Sequence, residues 1–255
     1  MVDQVSKDAV KNAFSKSAHS NVDLYYEMID KDFARYLEKH NVQLSDVERN
    51  RLKAYMWATV ATENDRCKPS EERINHINTN MWQVPEVVQN KTGAHLKFKD
   101  VPLFQPGDGR YHLIGFPFDK YDGRMKNSSA GDGNKYRGRG FVQITGRENY
   151  MRYGPLAGIP ALVEQPDLAS DPRNASKILV AFILDKHNRD RILSSLAEDD
   201  LVKAREVVNG RNPHGVAKFS ESYSKITSPS KKGPSSHPQH ESTPKGGAAP
   251  TLRRT

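Results

Sequence analysis

Hydrophobic positions along the chain recur mainly at helical spacing. Leu24, Met28, Phe33 and Leu37 follow one another in this way and predict a helix over 21–40. The next helix has a sharper start. Ser45-Asp46-Val47-Glu48 has the form of a capping box, in which Ser45 accepts from the third helical N–H and Glu48 reaches back to the cap. Leu44, Leu52, Tyr55, Met56, Thr59 and Val60 continue the pattern, which runs into Glu63 and breaks at Asn64-Asp65. Farther on, residues 149–153 read as a short helix. Asp171-Pro172 reads as a cap followed by proline at the first helical position, and Ala175, Ile178, Leu179, Phe182 and Ile183 form one apolar face. A last helix is expected over about 199–208, stopping at Asn209-Gly210.

Between these helices, residues 64–135 lack strong periodicity and carry Pro69, Pro85, Pro102, Pro106 and Pro117. Such a stretch reads as binding loops rather than core, with short helices near 70–80 and 84–91 and a short strand over 111–116. The ends are polar. Residues 1–20 read as a flexible segment that holds at most a frayed helix, and 228–255 as a disordered basic tail. The expected organisation is therefore a mainly α domain over 21–227 with one long loop-rich insertion.

Hydrophobic residues make up 36% of the 255, and the net charge is +8. A basic chain suits a polyanionic partner: nucleic acid, an anionic membrane surface or an acid-rich bacterial wall. Cys67 stands alone, so no intramolecular disulfide forms, which suits a reducing cytoplasm. The first residues lack the apolar stretch of a secretory signal, and no segment approaches the length of a membrane span. The nine histidines include no metal-ligand pair beside acids, so no metal and no cofactor are expected. Cys67 has no evident histidine partner that would make it a nucleophile.

Two segments carry chemistry. Glu63 ends a largely apolar helix, where partial desolvation disfavours a charged carboxylate, as a general acid requires. The plainer reading is a helix-terminal ion pair with Arg66. The second segment, Tyr136 to Tyr150, gathers Gly138, Gly140, Gly146, Arg137, Arg139, Arg147, Gln143, Thr145 and Asn149 around a short apolar stretch. Glycine lets backbone approach a ligand, and amide and hydroxyl groups match sugar hydroxyls and N-acetyl groups. The arginines either meet an anionic substrate or pin the loops to acidic residues.

The run 136–150 resembles the signature segment of glycoside hydrolase family nineteen, which includes chitinases and phage endolysins. The stretch 55–64 is similar to that family's helix ending in His-Glu-Thr, with Thr62 and Asn64 at the flanking positions. The resemblance implies that Glu63 is the general acid. Pro69-Ser70-Glu71-Glu72 resembles a Pro-Ile-x-Glu-Tyr segment of endolysin-like members and implies Glu72 as the base, with Arg73 in the aromatic position. Glu71 is the other candidate, and a solvated Glu-Glu-Arg patch the bland alternative. By position, Thr145 helps hold the attacking water, Gln143 binds sugar, and Tyr136 and Asn149 line the groove. Arg205–Gly210 resembles a late Val-Asn-Gly segment whose Asn, here Asn209, faces the cleft; a helix cap is its other reading. Residues 121–133 resemble the lead-in to the signature, where Asp122 and Asp132 read more simply as turn residues. Residues 165–168 resemble an Asn-Pro-Asp-Leu spacer.

The resemblance implies a lysozyme-like helical fold and an inverting glycosidase acting on N-acetylated glycan. Such enzymes place two carboxyl groups about 6.5–9.5 Å apart around the scissile bond. Basic charge, the lone cysteine and the missing signal favour peptidoglycan over chitin. They fit a monomeric endolysin made in the cytoplasm and released to the wall by a holin or another non-classical route. Cleavage of chitin oligomers and a catalytically inactive glycan-binding relative are the alternatives. Nucleic acid is not an expected partner, because one Arg-Gly run is not a repeated tract and no nucleic-acid motif is present.

Overall fold

The computed structural model describes residues 5–72, 121, 123–129, 131–211 and 213–228, and the backbone of 87–89 and 95–97. The described chain is mainly helical. Helix α3, Asp46–Glu63, lies at its centre. Its start is the capping box: Ser45 Oγ accepts from Glu48 N at 3.3 Å, and Glu48 Oε2 accepts from Ser45 N at 2.8 Å. From Leu52 to Ala61 almost every side chain is buried, as required of a helix surrounded by neighbours. Those neighbours are α6 (Pro172–Leu184), α7 (Lys186–Ala197) and α9 (Val216–Thr227).

Helix α2, His19–Lys39, packs on α6 and buries Val22, Tyr25, Ile29, Phe33, Tyr36 and Leu37 on its inner face. Leu24 is not on that face. It is 64% exposed, because a residue two beyond Val22 points to the opposite side of the helix. Helix α6 begins as its sequence predicts, with Asp171 Oδ1 accepting from Arg173 N and Asn174 N at 3.0 and 3.1 Å. Helices α5 (Arg147–Leu156) and α8 (Leu201–Asn209) complete the expected set. Helices α7 and α9 are additions, because their few buried apolar residues, such as Ile192, Leu196, Phe219 and Ile226, are diluted by polar ones.

Residues 5–18 depart from the expected flexible segment. Helix α1, Lys7–Lys11, is capped by Ser6 Oγ, and Val5, Ala9, Val10, Phe14 and Ala18 are buried in the core. Tyr26 Oη donates to the Val5 carbonyl at 2.7 Å, and Phe14 meets Trp57 edge-on at 6.5 Å. The anchors are separated by Lys, Asp, Ser and Asn, which gives the segment its polar look.

The loop-rich region also differs from its reading. Where a helix was expected from 70, strand β1 (Ser70–Glu71) pairs antiparallel with β4 (Arg139–Gly140), Ser70 opposite Gly140 and Glu71 opposite Arg139. Where a helix was expected near 84–91, β2 (Val87–Gln89) pairs with β3 (His95–Lys97). The strand expected over 111–116 and the tail from 229 lie outside the described residues. Between them, the one-turn helix α4, Asp132–Lys135, precedes β4. Among the described residues no helix is long and apolar enough to cross a membrane.

Packing of the N-terminal segment has a direct test. Phe14→Ala is expected to lower stability to urea by about 3 kcal/mol, the penalty for emptying a buried aromatic site; a flexible segment would leave the midpoint unmoved.

Candidate active site

The β1–β4 pairing brings the two chemistry-bearing segments together. Helix α3 ends at Glu63, and Asn64 turns the chain into β1. Asn64 Nδ2 donates to the Lys68 carbonyl and, at 3.1 Å, to Ser70 Oγ, while Asn64 Oδ1 accepts from Arg66 N at 3.1 Å. Asn64 thus closes the turn after Glu63. Thr62 directs its hydroxyl back to the Ala58 carbonyl at 2.7 Å.

Glu63 is ion-paired, but with Arg205 of α8 rather than Arg66. Arg66 is exposed, and its carbonyl accepts from Asn21 Nδ2 at 2.8 Å. The Arg205 side chain is only 2% exposed. Its Nε donates to the His214 carbonyl at 3.2 Å, its guanidinium lies over the Phe219 ring, and its Nη1 is buried without a hydrogen-bond partner. The pair spans 142 positions in sequence, so no local pattern announces it.

Glu72 is held by Gly138 twice. Its N–H donates to the Gly138 carbonyl at 2.7 Å, and its Oε2 accepts from Gly138 N at 3.2 Å. Tyr121 Oη donates to Oε1 at 3.1 Å. A side chain at Gly138 would have its Cβ 3.0 Å from Gln143 Oε1, 3.2 Å from Thr145 Oγ1 and 3.3 Å from Glu72 Oε2. Three of the residues singled out in the sequence therefore converge on one α-carbon, and only glycine leaves their oxygens undisturbed.

The supports of this cluster are specific. Gln143 adopts a left-handed φ of 52°, and its Nε2 donates to Ser70 O at 2.9 Å, Ser70 Oγ at 3.2 Å and Gly140 O at 2.9 Å. Its amide nitrogen thus binds the loop to β1, and its carbonyl oxygen faces Gly138. Thr145 Oγ1 donates to the Gln143 carbonyl at 3.0 Å, and Asn149 Nδ2 donates to the Thr145 carbonyl at 2.8 Å. Asn64, Ser70 and Gln143 form a continuous hydrogen-bonded path from the residue after Glu63 to this cluster.

One expected groove residue lies elsewhere. Tyr136 is buried, donates to the Val163 carbonyl at 3.2 Å and packs edge-on against Tyr150; it belongs to the core. Asn209 is exposed as the last residue of α8, one turn beyond Arg205, and Gly210, at φ 71°, ends the helix.

Arg139 and Arg137 pin loops. Arg139 is buried, with Nε on Glu71 at 2.8 Å, Nη1 on the Lys135 carbonyl at 2.8 Å and Tyr150 Oη at 3.0 Å, and Nη2 on Asp167 at 2.7 Å. Burial opposes its charge, but Tyr150, Glu71 and Asp167 outweigh that and leave it more firmly protonated than a free arginine. Arg137 Nη2 also pairs with Glu71, at 2.5 Å. Glu71 is thereby engaged by two guanidiniums, which separates it from Glu72 as a base candidate. Asp132 Oδ2 accepts from Ser128 N and Ser129 N, both at 3.0 Å, the turn role expected of it. Asp122 lies outside the described residues. Cys67 is buried, and desolvation pushes its thiol up to about 12, away from nucleophilic use.

Among the described residues no group of three His, Cys, Asp or Glu side chains is placed to hold a metal. An open groove of about 790 Å³ between α7 and α8 is lined by paired charges such as Arg152–Asp185 and Lys186–Asp190, and none of the expected site residues lines it. Neither the family models nor the curated proteins include a match to this chain.

The separation of the two adjacent glutamates predicts different losses. Glu71→Gln is expected to lower stability to urea by about 2 kcal/mol, since it weakens a charged hydrogen bond to buried Arg139. Unchanged stability would mean that Glu71 does not anchor that arginine.

Proposed function

We propose that this chain is an inverting glycoside hydrolase of the family-nineteen type, with a lysozyme-like helical fold, cutting β-1,4 bonds of peptidoglycan in the manner of an endolysin. The observation that carries this reading is the convergence of Glu72, Thr145 and Gln143 around Gly138. A carboxylate beside a hydroxyl, with no side chain between them, suits activation of a water molecule. Glu63, held at the helix end as a carboxylate by Arg205 in the free protein, is the general acid: it takes up a proton from solvent as substrate enters and gives it to the leaving glycosidic oxygen. Glu72 takes the proton of the water that attacks the anomeric carbon from the opposite face, and Thr145 orients that water. The transition state of such a reaction is oxocarbenium-like. The net charge of +8 supports an anionic wall glycan over neutral chitin.

Turbidity loss of outer-membrane-permeabilised Gram-negative cells tests the reading. Wild type is expected to lyse them, and Glu63→Gln and Glu72→Gln each to slow lysis by about 10²–10⁴, the usual contribution of a general acid or base. Cleavage of chitin oligomers alone would assign a chitinase; sugar binding without cleavage would assign an inactive relative. Gly138→Ala places a methyl group against all three site oxygens. It is expected to reduce the lysis rate at least tenfold in a protein that still melts cooperatively, and wild-type lysis by that variant would remove the Gly138 cluster from the mechanism.

A further inference from the structure

Tyr121 is assigned no role by the sequence patterns, yet its hydroxyl donates to Glu72 Oε1 at 3.1 Å. The way that residue is held indicates a purpose. Asn127, almost fully buried, donates through Nδ2 to the Tyr121 carbonyl at 2.9 Å and accepts through Oδ1 from Arg147 N, the first residue of α5, at 2.8 Å. One side chain thus fastens the backbone of Tyr121 to the helix that follows the signature run. The turn between them is closed by Gly123 N on the Asn127 carbonyl and by Asn127 N on the Arg124 carbonyl, and Glu148 N bonds the Met125 carbonyl at 2.9 Å. Met125 and Lys126 both take left-handed φ values, 51° and 60°. Met125 lies so close to Gly146 that a Cβ there would stand 2.4 Å from its own Cβ. The glycine before α5 therefore admits the turn that aims Tyr121.

We propose that Tyr121 is a positioning residue for Glu72, held in place from behind by Asn127; this rests on the reading of Glu72 as the base. Gly138 N engages Oε2 and Tyr121 Oη engages Oε1. The two donors approach different oxygens and fix the plane of the carboxylate, so that it meets the water in one orientation. Loss of the tyrosine hydroxyl leaves the carboxylate in place on Gly138 N and removes one of the bonds that orient it. Loss of the Asn127 amide loosens the tyrosine and acts through the same hydroxyl.

The test is steady-state hydrolysis by the full chain, on whichever of peptidoglycan and chitin oligomers the wild type cleaves. Four proteins are compared with wild type: Glu72→Gln, Tyr121→Phe, Asn127→Ala and the Tyr121→Phe/Asn127→Ala double variant. Tyr121→Phe is expected to lower kcat roughly tenfold, as loss of one transition-state orienting bond does, with KM and Tm near wild type. Asn127→Ala is expected to lower both Tm and kcat, but to lower kcat no further once Phe is present at 121, the non-additivity of two groups acting through one contact. Wild-type kcat in Tyr121→Phe, beside an inactive Glu72→Gln, overturns the proposal and leaves the hydrolase reading standing. Additive effects of the two substitutions on kcat also overturn it, as they assign Asn127 a purely structural part. Activity retained by Glu72→Gln, or absent from folded wild type, overturns the base assignment and this proposal together.

Discussion

The buried guanidinium of Arg139 is the constraint on which the rest of the site depends. A charge removed from water requires partners on every side, and this one recruits them from segments far apart in sequence: Glu71 in β1, Lys135 in α4, Tyr150 in α5 and Asp167 before α6. One side chain thereby ties together four separate pieces of the chain. The short β1–β4 ladder could not hold itself together with two residue pairs. Arg139, opposite Glu71 in that ladder, ties it to the helical core.

From that anchor the geometry of the Glu72 cluster follows. With Glu71 directed at the arginines, its neighbour Glu72 leaves the ladder on the other side and meets Gly138 through both main chain and side chain. Gln143 then clips the signature loop to Ser70, which fixes where Thr145 presents its hydroxyl. Alternation along an extended segment thus gives two adjacent carboxylates different surroundings: one neutralises buried charge, and the other faces hydroxyl and amide oxygens.

The regular part of the fold was legible because its signals are local. The Ser45 capping box, the Asp171-Pro172 start and the apolar face of α6 each lie within a few residues, and each appears as read. Residues 5–18 were misread because their burial comes from widely spaced anchors meeting Trp57 and Tyr26, with no dense apolar stripe. Tyr136 was misplaced for a related reason: an aromatic in a polar run looks like a sugar platform, whereas its neighbours Tyr150 and Val163 make it core. Gln143 takes a bracing part that was not read, because its amide nitrogen is taken by β1, a strand not anticipated there.

The sequence by itself determined helices α2, α3, α5, α6 and α8 and the residue types of the site, since caps, periodicity and glycine-rich loops act over short range. It placed Glu63 at a helix end and grouped Gln143, Thr145 and Asn149 in one run of the chain. Only the tertiary structure decided which charges meet. Arg205 rather than Arg66 faces Glu63, Arg139 claims Glu71, and Tyr121 reaches Glu72 across 49 positions. Partners of that kind are selected by the packing of α3, α8 and the β1–β4 pair, because burying a charge or a carboxylate demands a complement in space, and nothing in local spacing encodes where that complement comes from.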